Sequence, residues 1–210
     1  MADCCEDKSC ALDALQKRQA STLKAVLWIN AVMFFVVLAM GIYAGSTALL
    51  SDALDNLGDA LTFAMSLYAV GKSIRTKSRV ALFKGVLILA AGIGVLAQVL
   101  YKSLHPETPI YEVMGATSLV ALAANGACLW LLWSHRDEDV NMSSVWHCSR
   151  NDIAANLSVL VAAAGVWLVG SPWPDLVVGF ALGVLFLCSA AKVLRAAIRA
   201  LDAPEVARQI

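Results

Sequence analysis

Charge is scarce in this chain. Only 15% of its 210 residues are Asp, Glu, Lys or Arg and 60% are hydrophobic, where a soluble domain carries about 25% charge. With a mean hydropathy of +0.71, an ordinary water-soluble domain is excluded. A signal peptide is also missing, because the first residues are Asp, Glu and Cys rather than a basic and then apolar run. A disulfide framework is not in evidence. Three of the six cysteines crowd into residues 4–10 and three lie in apolar stretches, which reads as reduced thiols. Long connections are absent as well, leaving no room for a second domain between the apolar runs. Net charge is zero, and no nucleic-acid partner is expected.

What the chain does contain is six apolar stretches, near residues 23–44, 48–71, 80–104, 111–133, 143–169 and 176–201. Each is long enough to cross about 30 Å of hydrocarbon. The expected fold is an all-α membrane protein of six transmembrane helices. Residues 1–20 read as a flexible, cysteine-containing tail, 21–201 as the transmembrane transport domain, and 202–210 as a short C-terminal tail. Basic residues gather before the first stretch, around Arg75–Arg79 and Lys84, at Arg136 and at the chain end, while the other side has only Lys102. The positive-inside rule then puts both termini in the cytoplasm. Tyr43, Tyr101, Tyr111, Trp167 and Trp173 would mark the outer interface, and Trp130, Trp133 and Trp146 the inner one.

The second stretch holds the least expected residues. GSTALLSDALDNLGDA, residues 45–60, sets Asp52, Asp55 and Asp59 inside a membrane span. At 3.6 residues per turn Asp55 and Asp59 stack one turn apart on one face, with Asp52 a turn further back. Carboxylates at membrane depth cost several kcal/mol each and mark ion sites, proton relays or substrate paths. In the fifth stretch, SSVWHCSRNDIAANLSVLV, Cys148 and Asp152 repeat the four-residue spacing. Six spans divide into two inverted halves of three, and the middle span of each half then carries these acids. That is a transporter pattern.

If the two faces meet, three carboxylates and a thiol converge. Such a set suits tetrahedral Zn²⁺, and the sulfur tilts preference towards softer ions such as Cd²⁺. So many anionic groups cannot all stay ionised without a cation, so the empty site is expected to hold protons that an entering metal expels. Proton–metal exchange follows from that competition. Zn²⁺ or Cd²⁺ is then a transported substrate and H⁺ the counter-ion, with no prosthetic group.

The stretch GSTALLSDALDNLGDA resembles the second transmembrane helix of the cation diffusion facilitators, metal/proton antiporters in which STALLADA precedes an H/D-x-x-x-D pair. Asp55 and Asp59 match that pair, and Cys148-x-x-x-Asp152 is the best match to the pair of the fifth helix. The resemblance implies six spans, cytoplasmic termini and a metal site of Asp55, Asp59, Cys148 and Asp152. Two departures stand out. Cys148 fills a slot usually held by His or Asp, with His147 one residue earlier; a helix turns about 100° per residue, so only one of them faces Asp152, and Cys148 is preferred. The sequence also has no stretch matching the family's cytoplasmic metal-binding domain after the sixth span, so the truncated subtype is the expectation. A homodimer would then rest on membrane helices, for instance at Gly179-x-x-x-Gly183, which permits close helix approach.

Plainer roles compete at each position. Asp52 is better read as support for the ligands or a partner of Arg150 than as a ligand. His147 reads as interfacial, and Cys128 and Cys188 as packing. Cys4, Cys5 and Cys10 in CCEDKSC match no zinc-finger spacing, although soft-metal capture at the mouth is the alternative. Asn30, Asn125 and Asn156 suit hydrogen bonding between helices. An intramembrane aspartyl protease also needs two acids on neighbouring spans, but its G-x-G-D signature is absent: residues 56–59 are Asn, Leu, Gly and Asp. A proton-coupled exporter of small organic cations would line its cavity with aromatics, whereas here they sit at the interfaces. The expected setting is a bacterial inner membrane.

Overall fold

The structure, a computed structural model, describes the backbone of residues 3–69, 74–133 and 140–202, and the side chains of a narrower set that leaves out residues 1–20 and 134–151. All the regular structure among the described residues is helical: α1 (Asp3–Ala44), α2 (Thr47–Ala69), α3 (Ile74–Leu104), α4 (Tyr111–Trp133), α5 (Val140–Val169) and α6 (Trp173–Asp202). The helices start earlier than hydropathy indicates. α1 runs back to Asp3 through most of the polar lead-in, and α6 takes in Trp173, Pro174 and Asp175, which had read as loop. Hydropathy sees apolar content only; a polar turn can extend a helix once the helix is nucleated.

Five helices are apolar and long enough to cross a membrane. The exception, α2, carries three aspartates in its 23 residues, which at 1.5 Å per residue still span about 34 Å. It is sheltered by protein, packing on α1, α3, α5 and α6. Large apolar side chains of the other helices, Trp28, Phe35, Phe83, Leu119 and Phe180 among them, face outward, as lipid-facing surfaces do.

Three tight connections meet at one end of the bundle. α1 closes on Gly45, whose φ of 64° is the left-handed conformation that a glycine adopts without strain. Gly45 N donates to Ile42 O and Ser46 N to Gly41 O, the paired bonds of a Schellman ending. Lys102, at the end of α3, donates its ammonium to Gly45 O, and Ile110 N donates to Ala44 O. This half-buried bonding uses the one basic residue that the sequence leaves on this side. Asp175, at the start of α6, reaches the first turn of α2. The α1/α2, α3/α4 and α5/α6 turns therefore lie together, and the start of α1 and the end of α6 lie at the opposite end, hereafter the terminal end.

The core follows these contacts. Met33, Val37, Leu49, Ala53, Met114, Val159 and Leu182 join α1, α2, α4, α5 and α6 in one buried cluster. Leu50, Val95, Val99 and Leu176 tie α2, α3 and α6 near the turns.

Candidate functional site

α2 is held in register by Asp175. This side chain is 1% exposed and its carboxylate accepts from Ser46 Oγ at 2.5 Å and Ala48 N at 3.0 Å through one oxygen. The other oxygen accepts from Thr47 N and Thr47 Oγ1, both at 2.8 Å. Ser46 Oγ in turn accepts from Leu49 N at 3.0 Å, as an N-cap does. The N-terminal ends of α2 and α6 both direct their positive dipole ends at this one anion. α6 comes close enough because position 179 is glycine: a Cβ there would lie 2.6 Å from Thr47 Oγ1. Ser51 Oγ reaches Gly179 O at 3.2 Å across the same contact.

Two turns further along α2 the acids come together. One oxygen each of Asp55, Asp59 and Asp152 lie within 4.8 Å of one another. Asp152 is buried and the other two are half-buried, and Asp152 is in hydrogen-bonding reach of both. Two carboxyl groups bond to each other only through a shared proton, so the three cannot all be bare anions at this spacing. A divalent cation is the other agent able to hold them together.

The acids line a cavity of about 450 Å³. Its wall continues through Thr62 of α2, Lys84 of α3 and Ser189 and Val193 of α6. All four lie towards the terminal end, so the cavity extends from the carboxylates in that direction. On the turn side, Asp52 is fully buried, and the α2–α6 contact at Gly179 closes the way.

Asp52 is not part of the carboxylate group. Both of its oxygens are buried without a hydrogen-bond partner among the described residues, as are the side-chain oxygens of Asn56 and Asn156. The amide orientations are set by their nitrogens: Asn56 Nδ2 donates to Asp52 O at 3.0 Å and Asn156 Nδ2 to Asp152 O at 2.9 Å. Asn156 therefore secures its own helix turn below the acid rather than bonding another helix. Asn30 does bridge helices, weakly, with Nδ2 3.9 Å from Cys128 Sγ. Cys128 packs in an apolar cluster with Val26, Phe63 and Leu132, and Cys188 is exposed on α6.

The side chains of His147, Cys148 and Arg150, and those of Cys4, Cys5 and Cys10, lie outside the described residues. Gly179 and Gly183 are turned inward, not outward: a Cβ on Gly183 would meet Leu96 Cδ2 at 2.8 Å. The pair serves contacts within one chain and is unavailable as a dimer seam, because small residues pack whichever helix is nearest. Sequence reasoning missed Asp175 and the cavity position of Lys84. An acid directly after W-P, at a helix start, was a usable signal for the first; the second had none, since Lys84 reads as one more basic residue near a loop.

A six-helix bundle with a carboxylate-lined cavity suits a membrane transporter. The family model described as the cation efflux transmembrane domain matches residues 23–201. The chain therefore belongs to the cation efflux family, the cation diffusion facilitators. It is 29% identical over 194 residues to an uncharacterised transporter of Synechocystis sp., covering 84% of this chain and 63% of that one. It is 22% identical over 196 residues to a cadmium, cobalt and zinc/H(+)-K(+) antiporter of Bacillus velezensis, covering 85% and 63%. The aligned part of this chain thus spans just under two thirds of each curated relative.

Proposed function

We propose that the protein exports divalent transition-metal cations, Zn²⁺ and Cd²⁺ foremost, in exchange for protons by alternating access. The observation that carries this reading is the meeting of Asp55, Asp59 and Asp152 within 4.8 Å on two different helices. Cys148, one turn before Asp152, is the proposed fourth ligand; its sulfur would favour the softer ion. The name of the Bacillus velezensis relative, a cadmium, cobalt and zinc antiporter, supports the substrate class. An organic cation is the poorer fit, because among the described residues Phe186 is the one aromatic lining the cavity.

The bundle's asymmetry supports alternation. The cavity extends from the acids towards the terminal end, which the positive-inside rule would make cytoplasmic, while on the turn side α2 and α6 are in close contact at Gly179. The oxygens of Asp52 and Asn156, each about one helical turn nearer that side than Asp55 and Asp152, have no hydrogen-bond partner among the described residues. Burying such groups without partners costs about 1–3 kcal/mol each. Rocking of α2 and α5 against α6 would hydrate them and make them the lining of an outward path. The proposed setting is a bacterial inner membrane, with the protein a homodimer through a helix face other than that of Gly179 and Gly183.

Uptake of Cd²⁺ or Zn²⁺ into proteoliposomes under a pH gradient tests the reading. The wild type is expected to accumulate metal, with collapse of the gradient abolishing accumulation, and Asp59→Asn to fall to the rate of empty vesicles. Gradient-independent metal movement, or wild-type uptake by the Asp59 variant, would sink it.

A further inference from the structure

Lys84 is a charged residue the transport reading does not use. It lies within the apolar span Ala81–Leu104 of α3, where an ammonium group is expensive unless paired. The side chain is half-buried and lines the cavity that holds Asp55, Asp59 and Asp152. Its Nζ donates to Thr62 Oγ1, and the Thr62 hydroxyl donates to Gly58 O at 2.7 Å. Gly58 directly precedes Asp59, so the ammonium is anchored to the same turn of α2 that carries the acids. The charge of Lys84 acts on Asp59 across the cavity. Three carboxylates against one ammonium leave two net negative charges when all are ionised.

From this arrangement we propose that Lys84 is a tethered counter-cation of the carboxylate pocket. In the ion-free protein it neutralises part of the acids' charge, and when a metal ion enters it opposes that ion from the Thr62 side. Lysine suits the task, being a compact point charge on a flexible four-carbon stem. The result is a site of restrained affinity, which a carrier needs in order to let its cargo go. The proposal rests on the metal-transport reading above and adds to it the residue that sets affinity and release.

Cd²⁺ titration calorimetry of the purified protein, at one pH, tests it with three variants. Lys84→Met removes the charge at similar length and is expected to bind Cd²⁺ about tenfold or more tightly, since like-charge repulsion across a partly buried cavity is lost. Lys84→Gln, which keeps a donor for Thr62, is expected to tighten too, and Lys84→Arg to bind as the wild type does. In proteoliposomes Lys84→Met should lower both KM and turnover, a split that a purely structural lysine would not produce. Wild-type or weaker affinity in Lys84→Met, or tightening in Met but not in Gln, overturns the proposal. Asp59→Asn in the same titration separates the two ideas: if it loses binding while Lys84→Met is unchanged, the transport reading stands and the counter-cation role falls. If it binds normally, the carboxylate site itself is wrong.

Discussion

Replacing Asp175 by Asn should loosen the bundle from the turn end. The carboxylate accepts four hydrogen bonds, two at each oxygen, and two of them come from the backbone N–H groups of Thr47 and Ala48. Both of these residues are fully buried. An asparagine keeps one accepting oxygen and turns an NH₂ donor towards the other pair. One buried backbone N–H thereby loses its partner at about 1–3 kcal/mol, and the α2 and α6 dipoles lose their anion at about 0.3–1 kcal/mol each. The Thr47 hydroxyl can rotate to accept and recovers part of the loss. A net cost of about 2–4 kcal/mol remains, a fall in Tm of about 4–16 °C for a chain of this size. Intrinsic fluorescence of the six tryptophans during heating in detergent reads this directly. Asp52→Asn is the control, because it alters a buried acid of the same helix that has no partner to lose; its Tm should be unchanged or higher. If the Asp175 variant melts with the wild type, or if the two variants fall equally, the idea that Asp175 positions α2 is wrong. Metal affinity should also drop in Asp175→Asn, although Thr47 stands eight residues, about 12 Å of helix, from Asp55.

Other outcomes follow from the same geometry. Gly179→Ala places a methyl 2.6 Å from Thr47 Oγ1, and should cost about 1–3 kcal/mol through overpacking, read as a lowered Tm with α2 shifted from α6. Gly115→Ala, with open space at its Cβ, should leave Tm unchanged or slightly higher. If protons and metal compete for the same carboxylates, as proposed, Cd²⁺ affinity should rise with pH and fall with acidification. Each proton displaced per ion contributes about a tenfold change per pH unit. A flat profile in calorimetry would refute exchange at these groups. Cys128→Ala should bind and transport as the wild type does, since the thiol packs in an apolar cluster and does not line the cavity.

Much of the site was legible because charge in a membrane span is rare enough to be informative. Asp55, Asp59 and Asp152 stand out against apolar neighbours at helical spacing, and the structure gathers all three. Asp52 has the same local signature and lies on nearly the same stripe, yet it faces protein and not the cavity. A helical wheel resolves angle about one axis; it does not tell which neighbouring helix fills that angle. Gly179 and Gly183 make the same point, since the small-residue spacing was real while its partner was α2 and α3 of the same chain. Asp175 was lost to a helix boundary placed a few residues late, as polar first turns escape hydropathy.

Hydrophobic run lengths and their short links determine, by themselves, that this chain is a helical membrane bundle, because the bilayer prices every exposed polar group and dictates segment length. The spacing of the acids points to the helices that carry the candidate site. Only the tertiary structure decided which acids share a cavity, that Asp175 clamps α2 to α6, and that Lys84 turns inward among the carboxylates. These depend on the distances between helices, and packing sets those distances through contacts between residues far apart in the chain.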